Sequence, residues 1–433
     1  MYVSAFVAMK FRPGDARVIW SWGLYDFANS AFTTLVITFV YATYFTQAMA
    51  PDPITGTALW SRAIALTAIV VAVFSPILGA IADCGGYRKL FVVFATLICV
   101  AATIALYFVL PGQLLMALGL LIVANIAYEF GTVFYNAFLP DLSTPESIGR
   151  VSGIAWGLGY LGGLFALGIT LVTLIQPDTP WFGFSRDSGE NIRATNLLVG
   201  GWFLVFSLPL LLWVPESGRR APLSRRVFGS ACAQILMSLK EIRDYRQIVR
   251  FLIARMFFND GLITIFAFGG IYAAGTFGFT LQEVLLFGIA LNVAAGLGAV
   301  LFGYVDDKIG SKRTLMITLA GLFLATLLAV LATSKLWLWM AGIVIGIFVG
   351  PNQAASRSLM ARFVPHNAKN EFFGFFALSG KLTAFIGPLL LGILAQWSGS
   401  QRVGISVVLI LFAIGGVLLA IVDEDEGISA ANS

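Results

Sequence analysis

The chain has 433 residues, of which 59% are hydrophobic and 11% charged, against about 25% charged residues in a soluble globular chain. A charged aqueous surface of the usual kind is excluded, and lipid becomes the expected solvent. The net charge of +5, the single histidine, His366, and three scattered cysteines, Cys84, Cys99 and Cys232, offer no disulfide framework and no histidine-built metal centre.

In chain order, residues 1–19 form an N-terminal segment without the apolar core and cleavage site of a secretory signal. Twelve apolar runs follow, near 20–47, 59–82, 90–110, 113–139, 151–175, 196–214, 247–274, 281–304, 314–333, 337–360, 372–397 and 402–422. A bilayer core of roughly 30 Å needs about 20 helical residues to cross. Open strands are excluded because lipid leaves their backbone groups unsatisfied. The expectation is an all-α integral membrane protein with twelve transmembrane helices. Residues 20–214 make one six-helix bundle and 247–422 the other. The linker 215–246 is polar and basic, with a surface helix expected over 227–239. Residues 176–195 read as a polar loop, and the acidic tail 423–433 reads as disordered.

Lysine and arginine set the orientation. With the N-terminus inside, the inner segments hold 20 of these residues and the outer segments 5. Both termini are therefore expected in the cytoplasm. Orientation accounts for the basic charge, so no nucleic-acid partner is needed.

One short loop is written twice. "GAIADCGGYRK" (79–89) and "GYVDDKIGSKR" (303–313) share the pattern G-x-x-x-D-x-x-G-x-[RK]-[RK]. Gly79 matches Gly303, Asp83 matches Asp307, Gly86 matches Gly310, Arg88 matches Lys312 and Lys89 matches Arg313, all at an offset of 224. The first copy links runs two and three, the second runs eight and nine. The glycines permit close helix approach and a tight turn. The aspartates can accept from backbone N–H groups at a neighbouring helix N-terminus.

This doubled loop, the six-plus-six arrangement and the basic linker resemble the major facilitator superfamily. "VPESGR" (214–219) is similar to a motif that follows helix 6 in many members. "SWGLYDFANSAF" (21–32), "NAFLPDL" (136–142), "GRVSGIAWGLGYLGG" (149–163), "QAASRSLMAR" (353–362) and "NEFFGFFALSGKLTAFIGPLL" (370–390) resemble the branch named for the fungal vacuolar amino-acid effluxer. The resemblance implies two pseudo-symmetric bundles and alternating access. It also implies a latch function for the loops and a central cavity lined by helices 1, 4, 7 and 10.

Charges inside the apolar runs carry most of the functional information. Each costs about 3 kcal/mol at mid-bilayer on the insertion scale, so they must face water or one another. Three acids, Asp26, Glu129 and Asp260, stand against three bases, Arg255, Arg357 and Lys381. Helical spacing adds Asn29 to the face of Asp26, Asn136 to the side of Glu129, Asn259 four residues after Arg255, and Gln353 four before Arg357. Asp26, Asn29, Glu129, Arg255, Asn259, Asp260 and Gln353 are expected to bind substrate or couple an ion, with Asp26 the leading coupling acid. Asn136, Arg357 and Lys381 are expected in a gate. The glycines of run five and Gly387-Pro388 of run eleven read as close packing.

These readings converge on a secondary active transporter in a bacterial-type plasma membrane. It exports a small polar solute, an amino acid or related compound, coupled to protons, as a monomer without cofactor or metal. A lipid or drug exporter of the same fold and a non-transporting sensor are the alternatives. An enzyme would need a nucleophile with a base or a metal cluster at membrane depth, and an ATP-driven pump would need a phosphate-binding loop. A reporter fused after Ser433 should read as cytoplasmic and one inserted near Ser188 as external. The reverse pattern in a membrane-sidedness assay would overturn the orientation.

Overall fold

The computed structural model describes residues 13–216, 225–240 and 245–431. The first twelve residues of the N-terminal segment and parts of the linker lie outside that range. Among the described residues every regular element is a helix. Eleven are long and apolar enough to cross a membrane: α2 (Pro53–Gly85), α3 (Arg88–Phe108), α4 (Leu114–Leu142), α5 (Ile148–Ile175), α6 (Glu190–Trp213), α7 (Arg246–Phe277), α8 (Gln282–Ile309), α9 (Ser311–Leu331), α10 (Lys335–Phe363), α11 (Lys369–Ser398) and α12 (Gln401–Ala420). Before them, α1 is helical over 16–49 but alternates α and π turns, with π segments at Phe32–Phe39 and Phe45–Met49.

The helix starts follow local chemistry. Asp15, Asp52, Thr280 and Ser334 accept backbone N–H groups at the starts of α1, α2, α8 and α10, as short oxygen-bearing caps do. Within the first half, α1 packs on α5 and α6, and α3 on α4 and α6. Within the second, α7 packs on α12 and α10 on α8 and α9. The halves meet where α5 lies along α8 and α2 along the first segment of α11.

Two expectations need correction. Arg193, assigned to a loop over 176–195, lies inside α6 and is buried. The acidic tail is not disordered: Glu424–Ala431 is a helix. Glu424 accepts the Ser311 and Lys312 N–H groups at the start of α9, at 2.9 and 3.0 Å. Glu426 accepts from Arg246 Nε at 2.5 Å and Gln247 Nε2 at 2.7 Å, and the Arg246 bond holds its carboxyl below the usual range. The tail's charge therefore meets a helix N-terminus and a guanidinium, which replace the water expected around it. The linker helix, Arg225–Lys240, does form. Its Val227 and Ala231 pack on Ala80, Ile81 and Tyr87, and it exposes Phe228, Leu236 and Met237.

α11 is broken at 382–385, between Lys369–Lys381 and Ile386–Ser398. Pro388 has no N–H and its ring clashes with the carbonyl four residues earlier, which falls inside the break. The pair Gly387-Pro388, read as packing, marks this interruption. Its first segment lies on α2, while the second packs on α7 and α12 of its own half.

Glu424→Ala should remove the α9 cap at a cost of about 1 kcal/mol and lower the thermal unfolding midpoint of the full chain. An unchanged midpoint would make the tail helix a bystander.

Candidate functional site

The face of the bundle that carries Asp15 at the start of α1 and the tail helix is basic, and there the two halves are bolted by helix ends. Asp83, at the end of α2, accepts Asn370 N–H at 3.2 Å, Glu371 N–H at 2.9 Å and Asn370 Nδ2 at 2.7 Å. It caps α11 from another helix. Asp307, at the end of α8, accepts Gly149 N–H at 2.8 Å and Arg150 N–H at 3.3 Å at the start of α5. Both aspartates thus take the second and third N–H groups of a helix in the opposite half, where the helix dipole favours an anion. Gly79 makes the first contact possible, since a Cβ there would stand 2.3 Å from Asn370 O. Gly303 similarly lies against Gly149 and Arg150. Gly86 and Gly310 turn with φ of 65° and 90°.

The basic ends of the two loops behave differently from the offset of 224. Lys89 donates from Nζ to Val214 O at the end of α6 at 2.6 Å, and its N–H meets Glu216. The equivalent bonds in the second half belong to Lys312, from Nζ to Ala420 O at 3.1 Å and from N–H to Glu424. Lys89 therefore corresponds to Lys312 rather than to Arg313, because α3 begins two residues after its glycine and α9 only one. Arg88 instead binds Ala137 O at 2.5 Å and Asp141 at 2.6 Å. Asp141 is shared with Lys369 of the second half, and Arg362 donates to Pro145 O at 2.8 Å.

Deeper in the bundle, Arg357 crosses from α10 to the first half. It bonds Asp26 at 2.8 Å, Asn136 Oδ1 at 3.3 Å, Ser152 O at 2.8 Å and Ser152 Oγ at 3.0 Å. Trp22, Tyr135 and Trp156 stack around its guanidinium, with centroids at 4.9, 5.8 and 5.5 Å. Its side chain is 3% exposed. Removing one partner of such a pair would leave an uncompensated buried charge, costing about 3–5 kcal/mol. Asn29 is buried nearby on α1.

Lys381, at the broken end of α11, reaches Glu129 of α4 at 2.6 Å. This pair lies farther from the basic face, about 18 Å along α11 at 1.5 Å per residue, and is 30% and 18% exposed. Gln353 of α10 accepts from Tyr160 of α5 at 2.5 Å. The Lys381–Glu129 pair thus keeps more accessible surface than the Asp26–Arg357 pair nearer the basic face.

The third acid and base do not pair with each other. Arg255 donates to Phe376 O and Ser379 Oγ, both at 2.8 Å, and lies over the Phe376 ring. Asn259 Nδ2 donates to Gly380 O at 3.3 Å. Asp260 accepts Gly387 N–H at 3.0 Å. All three hold the backbone on either side of the break in α11. Sequence reasoning missed Ser152, Tyr160, Asp141 and Lys369. Ser152 and Tyr160 sit among the small residues of α5, so only their cross-half partners reveal them.

Asp83→Asn and Asp307→Asn each remove charge from these caps, a loss of about 1.5 kcal/mol and so roughly a tenfold shift toward separated halves. Spin-label distances across the basic face should lengthen in both variants. Unchanged distributions would refute a latch.

Comparison with known proteins gives concordant matches. Residues 51–432 match the family described as "Vacuole effluxer Atg22 like". An uncharacterized MFS-type transporter, YxiO of Bacillus subtilis (strain 168), is 30% identical over 412 residues, covering 94% of each chain. Autophagy-related protein 22 of Coccidioides immitis (strain RS) is 23% identical, covering 84% of this chain and 72% of its own. Among solved structures, the MFS proton:xylose symporter XylE superposes with a TM-score of 0.71 at 13% identity, over 95% of this chain and 96% of that one.

Proposed function

The chain belongs to the Atg22-like vacuole effluxer family of the major facilitator superfamily, and from that membership we propose a secondary active exporter of a zwitterionic solute, an amino acid or close relative. The observation that carries the substrate class is the Glu129–Lys381 pair. An acid and a base from opposite halves meet at 2.6 Å, yet both keep accessible surface. A zwitterion entering between them can give its ammonium to Glu129 and its carboxylate to Lys381. That replaces one ion pair by two charge-assisted contacts without leaving either residue unpaired. The broken end of α11 supports this role: a cation at a helix C-terminus is favoured, and the break lets Lys381 point across the interface.

Beneath it, the buried Asp26–Arg357 pair acts as the gate that must part for access from the basic face. The basic face is cytoplasmic on this reading, by the asymmetry of lysine and arginine. The described state is then outward-facing, with the gate and both loop latches shut. Six helices on either side of the linker rock about the central pairs, and substrate binding shifts the population between the two states. Export against a gradient is driven by protons moving inward. The chain works as a monomer in a bacterial-type plasma membrane, with both termini inside.

The test is flux in proteoliposomes using a radiolabelled mixture of the common amino acids. The wild-type chain should exchange label with unlabelled amino acids and accumulate it under an imposed pH gradient. Glu129→Gln and Lys381→Met should each reduce exchange about tenfold or more, the loss of one charge-assisted contact of roughly 1.5–3 kcal/mol. Normal exchange in both variants would remove these two residues from the binding site. No movement of label by the wild-type chain would remove the substrate class.

A further inference from the structure

Asp260 stands apart from the other intramembrane charges. Asp26 has Arg357, Glu129 has Lys381, and Arg255 has two oxygens of α11. Asp260 is 1% exposed. One of its oxygens accepts Gly387 N–H at 3.0 Å, at the start of the second α11 segment. Its other oxygen, Oδ1, is buried and has no hydrogen-bond partner among the described residues. An ionised carboxylate in that setting lacks both water and a counter-charge, the costliest arrangement for a buried polar group.

The surroundings supply no cation. The second α11 segment, Ile386–Ser398, and the main segment of α12, Val407–Ala420, contain no ionisable residue. Leu411, Thr264 and Gly387 close around the carboxyl, and Phe412 packs on Gly261 beside it. On its own helix, Arg255 is engaged with Phe376 and Ser379. From the first α11 segment, Lys381 is engaged with Glu129, and from α10, Arg357 with Asp26. Thr264 Oγ1 donates its hydrogen to Asp260 O at 2.8 Å, so it can offer the carboxyl only an acceptor. Two side-chain oxygens within apolar walls are too few to replace the hydration shell of a metal cation. A proton needs only one.

We propose that Asp260 is the site at which the coupling proton is carried, held on Oδ1 under the broken segment of α11. This rests on the reading above of an ion-driven transporter and names the residue that binds the ion. On the loading side, a hydronium ion gives its proton to Oδ1, an O–H bond forms and water remains. On the unloading side, the O–H bond breaks, the proton passes to water and the carboxylate is left. The break at 382–385 ends just before Gly387, whose N–H holds the carboxyl. When the break straightens or shifts, the Gly387 contact loosens and Asp260 meets water. Helix geometry in α11 therefore ties proton access to the position of Lys381, which the same break directs at Glu129.

The test is infrared difference spectroscopy of the full chain reconstituted in lipid, following the C=O stretch of protonated carboxyl groups through a pH titration. It needs no substrate, so it stands even if the amino-acid reading fails. The expected result is that Asp260→Asn removes one component of the protonated-carboxyl band, while Asp26→Asn and Glu129→Gln leave that component in place. A band unchanged in Asp260→Asn overturns the proposal. So does a component that vanishes in the wild-type chain when sodium replaces choline at fixed pH, since the site would then take a metal cation. Should Asp260→Asn fail to fold, Asp260→Glu keeps ionisation and must move the same component to a new frequency. An unmoved component with Asp260→Glu overturns the proposal equally.

Discussion

A carboxylate set against the free N–H groups of a helix in the other half holds this molecule in its described state. Asp83 does this for α11 and Asp307 for α5, each on the same two positions of the receiving helix. Such a contact needs no partner side chain, only a helix end with unsatisfied donors. It is strong when aligned and lost when the ends move apart, which suits a joint that must open. The positions of the other cross-half groups follow from it. With the ends of α2 and α11, and of α8 and α5, brought together, α4 is close enough to α11 for Asp141 to meet Lys369, and α10 to α1 for Arg357 to meet Asp26.

Inside the bundle, partners are graded by depth. The pair nearest the joint is dry and ringed by aromatics, the next is half-open, and Asp260 has a backbone N–H and no cation. On the function proposed above, the order sorts the roles. A sealed pair locks, an accessible pair can exchange partners with a solute, and an unpaired acid can change its own charge. The broken α11 connects the joint with the two deeper levels, because Asp83 caps its start, Lys381 ends its first segment and Asp260 caps its second.

Much of this was legible in sequence where one residue type had one physical use. The apolar runs located the helices, and the spacing of Gly79, Asp83 and Gly86 from their twins located both loops. The six intramembrane charges were visible because nothing in lipid tolerates them idly. Pairing was not legible. Arg357 has three acids to choose from in sequence and takes Asp26, because α10 leans on α5 where Ser152 positions the guanidinium. The correspondence of Lys89 with Lys312 was hidden by the extra residue, Tyr87, between glycine and helix. The break in α11 was masked because Pro76, Pro209 and Pro351 all lie inside unbroken helices. The tail looked unstructured because its acids find their counterparts more than 100 residues back in the chain, at Ser311 and Lys312.

That tail also has a bearing on how the chain is made. The first half carries its equivalent carboxylate, Glu216, directly after α6, so α3 can be capped while the second half is still being synthesised. The second half likewise waits for Glu424, just after α12, to cap α9. During translation α3 and α9 each enter the membrane with their first N–H groups unanswered. They remain so until the carboxylate that follows the sixth helix of the same half has been made, more than 100 residues on. Assembly is thus alike in time as in space: each half closes only when the carboxylate after its sixth helix has been made, 127 residues after Lys89 in the first and 112 after Lys312 in the second.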